Sequence, residues 1–213
     1  MLRVVTVVVA TLAVVATGVV VLDRVTTRDG DKVLVLGDSI TEWSTPALET
    51  GLGGRFHLHV IGRGGFRSEQ LQPEAVAAAV TGPTQVILNA GTNDALQHRP
   101  WADTAASIEQ MVALFPHAEC VHVATLNTHM RDRDGQDQAG AEEINDAIRA
   151  LPDRYPNVSI IEWSEIIDDD LADHPPNGTL TPDTVHPGPE GERVLLGAYD
   201  DALQRCGRPW RVW

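Results

Sequence analysis

Short apolar runs that stop at turn residues, each followed by a stretch of helical spacing, recur along this chain and leave few folds open to it. The first is Val33-Leu34-Val35-Leu36, closed by Gly37-Asp38-Ser39. Consecutive apolar residues without alternation suit a strand covered on both faces, as in a parallel sheet sandwiched by helices. The same reading makes strands of Phe56 to Ile61, Gln85 to Leu88, Cys120 to Leu126 and Val158 to Ile161. Between and after them, helices are expected from Pro46 to Leu52, Ser68 to Val80, Ala102 to Phe115, Ala141 to Leu151 and Glu190 to Cys206. In the Ala102 helix, Ile108, Met111, Val112 and Phe115 recur at the spacing of a single buried face. Polar loops are expected from Asn127 to Gly140 and, acidic and then proline-rich, from Asp168 to Pro182. Strand–helix alternation of this kind predicts a three-layer α/β/α domain on a five-stranded parallel sheet.

Ahead of the first strand, Val4 to Leu22 is apolar or small except for Thr6, Thr11 and Thr17. That run matches the roughly 20 residues needed to cross a bilayer core. It also continues past Ala16, a candidate cleavage site, and exceeds the apolar region of a secretory signal. An uncleaved anchor is therefore expected over a cleaved signal. Arg3 before the run and Asp23 after it favour an exported domain. The expected organisation is residues 1–24 as membrane anchor or signal segment, 25–31 as linker and 32–213 as the α/β domain. A formal net charge of -14 excludes a phosphate-backbone partner, which requires clustered Lys and Arg. Cys120 and Cys206 are too few and too unpatterned for a zinc site. Cys120, in an apolar run, is read as a buried thiol, and a bridge to Cys206 stays open for an exported domain.

Ligands of open α/β sheets bind at the carboxyl ends of the strands, where Ser39 falls. A serine hydroxyl becomes a useful nucleophile when a base takes its proton, and histidine is the usual base. Asp183-Thr184-Val185-His186 places an acid and an imidazole on one loop before the last helix. Asp183 there would hold the imidazole tautomer and stabilise the imidazolium. Gly65, in the loop Gly62-Arg63-Gly64-Gly65, and Asn93, after the third strand, offer donors for the oxyanion of a tetrahedral intermediate, together with the Ser39 amide. Taken singly, each of these residues also fits a turn or a helix cap.

Together the blocks Gly37-Asp38-Ser39-Ile40, the glycine loop ending at Gly65, Gly91-Thr92-Asn93-Asp94 and Asp183-Thr184-Val185-His186-Pro187 resemble those of the SGNH hydrolase (GDSL esterase/lipase) family, in that family's order. The resemblance runs from about Lys32 to Leu203. It implies a flavodoxin-like sheet of order 2-1-3-4-5, with Ser39 as nucleophile, His186 as base and Asp183 as its partner. It also implies an oxyanion hole of Ser39, Gly65 and Asn93, with no metal and no cofactor. The second block departs from the family's pattern, because Gly62 stands where many members carry Asn, and Gly62, Gly64 and Gly65 compete for one role. Arg67, just beyond, is read as a solvated arginine, with an anionic substrate group as the alternative. The expected activity is hydrolysis of short-chain, acetyl-type O-acyl esters of cell-envelope carbohydrate or lipid. An O-acyltransferase with the same triad and a catalytically silent carbohydrate-binding domain are the rival readings.

Overall fold

The computed structural model describes residues 30–207, apart from residues 133, 136–139 and 177. The expected anchor or signal segment, residues 1–24, and most of the linker lie outside the described residues. Among the described residues, no helix is long and apolar enough to cross a membrane.

The strands are β1 (Lys32–Gly37), β2 (His57–Gly62), β3 (Gln85–Asn89), β4 (Cys120–Ala124) and β5 (Val158–Ile161), and the helices are α1 (Ser39–Leu52), α2 (Ser68–Ala79), α3 (Thr92–Leu96), α4 (Trp101–Ala113), α5 (Ala141–Arg149), α6 (Trp163–Asp173) and α7 (Pro189–Arg205). The strands form one sheet of order β2-β1-β3-β4-β5, parallel throughout. Every residue of β1 after Lys32 is buried, as its unbroken apolar run requires. Alternate β1 residues feed opposite cores. Leu34 and Leu36 join Leu71, Ile108, Met111 and Ile144 on one face, while Val33 and Val35 join Leu48, Trp163, Leu195 and Tyr199 on the other. The result is a three-layer sandwich with all strand carboxyl ends at one edge. At that edge β1, β2 and β3 finish level, with Gly37 beside both Gly62 and Asn89.

Several elements depart from the sequence expectations. α1 begins at Ser39, about two turns before Pro46, because the Asp38 side chain caps it by accepting from the Ile40 amide at 3.0 Å. Ile40, Ser44, Leu48 and Leu52 then bury one stripe across Pro46, which the helix absorbs in its interior. The loop expected from Asp168 is helical as far as Asp173: Trp163 and Ile167 anchor α6 in the core, and its acidic outer residues mask that stripe in the sequence. Asp170 within it accepts from the amides of Thr179 and Leu180, and so ties down the chain that leads to the histidine loop. α3 was not expected at all. β4 ends at Ala124 rather than Leu126, because the Leu126 amide and carbonyl bond to the Asn145 side chain instead of to a strand.

The cysteines correct the expectation of a buried thiol: Cys120 and Cys206 form a disulfide across 86 residues. It ties the end of α7 to the start of β4, at the sheet edge opposite the carboxyl ends. Closing a loop of that length restricts the unfolded chain, a contribution of about 2–4 kcal/mol. Reduction should therefore lower the free energy of unfolding by that amount, read as a lower denaturant midpoint at unchanged conditions. Catalytic constants measured while the protein remains folded should not change, because the bridge lies at the far edge.

Candidate active site

The turn from β1 into α1 delivers Ser39 as the first helical residue, only 7% exposed. Its Oγ lies 2.8 Å from His186 Nε2, and His186 Nδ1 lies 2.8 Å from Asp183 Oδ2. With a proton on Nδ1 donated to Asp183, the Nε2 lone pair faces the Ser39 hydroxyl, the polarity needed to accept its proton. Asp183 Oδ1 also accepts from the amides of Val185 at 2.9 Å and His186 at 2.6 Å, which folds the carboxylate and the imidazole into one tight turn. Burial pushes the Asp183 carboxyl up, but the hydrogen bonds from the His186 ring and from these amides outweigh it and hold the group below the usual carboxylate range.

That turn needs Thr184 at φ +69°, a region that a β-branched residue seldom adopts. Its surroundings hold it there. The Thr184 carbonyl accepts from Asn127 Nδ2 at 2.9 Å, its Oγ1 from the Arg131 amide at 3.1 Å, and its own amide donates to the Thr181 carbonyl at 2.8 Å. Asn127 and Arg131 belong to the loop after β4, so two loops together position the imidazole.

The three competing glycines separate by geometry. A Cβ on Gly62 would run into the backbone of Glu42 in α1, and one on Gly64 would meet the Glu42 carboxylate, so both serve the close packing of the loop on α1. Gly65 alone of the three combines φ +77° with open space where a Cβ would sit, in the loop that follows β2. Asn93, 9% exposed at the start of α3, donates from Nδ2 to the Phe66 carbonyl at 3.0 Å. That contact uses one of the two N–H groups of its amide and brings it to the Gly65 loop. Ser39, Gly65, Asn93, Asp183 and His186 thus all gather at the carboxyl edge of β1, β2 and β3.

Arg67 is engaged within the protein. Its guanidinium donates to Glu69 and to Gln97 Oε1, closing the start of α2. Two contributors went unforeseen from sequence. Asp94 accepts from the Ser68 amide at 2.7 Å and the Ser68 hydroxyl at 2.9 Å, which locks the loop that carries Gly65 onto α3. Its place directly after Asn93 was the only signal. Asp38, fully buried beneath the nucleophile's turn, has its carboxyl pushed up to about 6 by burial, against the Ile40 amide, the Thr92 hydroxyl and the charge of His186, which pull it down.

A serine, an imidazole and a carboxylate in hydrogen-bonded series at the carboxyl edge of a parallel α/β sheet form the arrangement characteristic of serine hydrolases. Residues 35–194 match the profile of the GDSL-like Lipase/Acylhydrolase family, and the chain belongs to that family. No curated protein matches the chain at significant similarity. Among solved structures, it is similar to a member of the lipolytic protein G-D-S-L family from Veillonella parvula, with 19% identity, 83% of this chain and 99% of that one covered, and a TM-score of 0.68. It is similar also to the C-terminal catalytic domain of peptidoglycan O-acetyltransferase A from Streptococcus pneumoniae, with 18% identity, coverage of 83% and 94%, and a TM-score of 0.65. An acetylxylan esterase from Geobacillus stearothermophilus matches at 15% identity, coverage of 86% and 98%, and a TM-score of 0.62. At these identities the likeness is one of fold.

Proposed function

We propose that this protein is a serine esterase that cleaves short acyl groups, of acetyl type, from hydroxyls of cell-envelope carbohydrate or lipid. The observation that carries the reading is the series from Ser39 Oγ through His186 to Asp183, with both contacts at 2.8 Å. Ser39 Oγ attacks the ester carbonyl as His186 Nε2 takes its proton. The carbonyl oxygen becomes an oxyanion, met by the Ser39 and Gly65 amides and the remaining Asn93 N–H. Collapse releases the alcohol with the proton from His186 and leaves an acyl-serine. His186 then takes a proton from water, whose oxygen attacks the acyl carbon, and Ser39 recovers its hydroxyl as the acid leaves. Asp183, held ionised, balances the positive charge on the ring in both halves. No cofactor or metal enters these steps.

The acyl and alcohol classes draw support from two relatives in fold, an acetylxylan esterase and a peptidoglycan O-acetyltransferase. An extracytoplasmic position, held by the apolar stretch Val4 to Leu22, draws support from the disulfide, which persists in oxidising compartments. Membrane pelleting that survives carbonate extraction is expected of the full chain. Release into the medium after cleavage near Ala16 would replace the anchor with a signal segment.

A panel of p-nitrophenyl esters of graded chain length tests the activity, with turnover expected to be highest for acetyl and to fall with length. Offering an alcohol acceptor alongside water separates hydrolase from transferase by the product formed. Absence of turnover on every ester, together with carbohydrate binding, would favour the silent domain. If Asn93 donates to the oxyanion, Asn93→Ala should lower kcat about 10²–10³-fold with KM nearly unchanged, because charge develops only in the transition state. A rise in KM at constant kcat would assign Asn93 to ground-state binding instead.

A further inference from the structure

Trp43 stands one turn after Ser39 on α1, and its indole lies flat on the His186 ring, with centroids 3.8 Å apart and planes 22° from parallel. The residue is 55% exposed, so core packing does not account for a tryptophan at this position. The imidazole is already held along two edges, by Ser39 at Nε2 and by Asp183 at Nδ1. Edge contacts of this kind restrain a ring least against tilting out of its plane, and a parallel indole opposes that tilt. A cation over an indole face is also attracted by the ring quadrupole. The imidazolium that forms when Ser39 loses its proton is such a cation.

We propose that Trp43 is a positioning residue for His186, holding the imidazole plane with Nε2 toward Ser39 and favouring its protonated form during acyl transfer. The proposal rests on the reading of His186 as the base. The other charged groups acting on the imidazole are Asp183 on its own loop and Asp38 at the end of β1. Both remain in a protein that lacks the indole.

Trp43→Leu and Trp43→Phe, assayed on p-nitrophenyl acetate across pH, test the proposal. Trp43→Leu should lower kcat about 2- to 5-fold with KM nearly constant, the scale of an exposed cation–π contact. Because the indole favours the imidazolium, its loss lets His186 shed its proton at lower pH. The acid limb of kcat/KM should accordingly move down by about half a pH unit. Trp43→Phe, which keeps an aromatic face, should recover most of both effects. A second readout needs no turnover. Imidazolium quenches indole emission more than neutral imidazole does, so the fluorescence of Trp43, taken as wild type minus Trp43→Phe, should rise with pH in a transition that His186→Gln abolishes. An unmoved acid limb in Trp43→Leu, or a fluorescence transition that survives His186→Gln, overturns the proposal. Retained turnover in Ser39→Ala would instead remove the reading of Ser39 as nucleophile, while the fluorescence titration would still decide the stack.

Discussion

Ser39→Ala is expected to reduce kcat on p-nitrophenyl acetate by about 10⁶-fold while leaving a folded protein. The loss is large because Oγ forms the covalent bond, and among the described residues no other hydroxyl is hydrogen-bonded to His186 Nε2 to replace it. The fold should survive because Ser39 opens α1 without bracing it. The cap is Asp38, and among the described residues the only side-chain hydrogen bond of Ser39 is the one to His186. Losing a single partly buried hydrogen bond costs about 1 kcal/mol, offset in part by alanine's preference for a helix. Circular dichroism and the unfolding midpoint should therefore match wild type within that margin. A fluorophosphonate probe should label wild type and not the variant. Substantial residual turnover in a folded Ser39→Ala would show that another group attacks the ester.

Asp183→Asn should produce the second largest defect, about 10⁴-fold in kcat, and by a different route. An amide at this position can donate to Nδ1, which favours the imidazole tautomer with its proton on Nε2, pointed at Ser39 and useless as a base. It also removes the negative charge that balances the imidazolium. The pH dependence carries a sign. Because Asp183 is held below the usual carboxylate range, its contribution to stability is present above that range and lost as pH falls through the lowered value. The stability gap between wild type and Asp183→Asn should thus be widest near neutrality and close in acid. Esters with better leaving groups need less protonation by His186, so they should rescue Asp183→Asn more than Asn93→Ala. Equal rescue of the two variants across a leaving-group series would count against their separate roles.

The sheet was legible in the sequence because a strand buried on both faces has to be apolar at every position, and such runs stand out between turn residues. Strand–helix alternation then left a parallel three-layer sandwich as the economical way to cover both faces. Ser39, Asp183 and His186 were legible as candidates, since nucleophile, base and acid chemistry confine each role to a few residue types, and the fold brings the three into hydrogen-bonded series. What the sequence could not carry was anything decided by contact between distant segments. The start of α1 depended on how the Asp38 carboxylate turns onto the Ile40 amide, and the length of α6 on Trp163 and Ile167 finding the core beneath an acidic surface. The choice among Gly62, Gly64 and Gly65 rested on where α1 passes. The pairing of Cys120 with Cys206 and the stacking of Trp43 on His186 join residues far apart in the chain, and each required the sheet to place their backbones first. Residue chemistry is local and can be read along the chain, as in the Asp183–His186 pair on one loop, whereas proximity of distant residues is set by packing, which brought that imidazole between its serine and its indole.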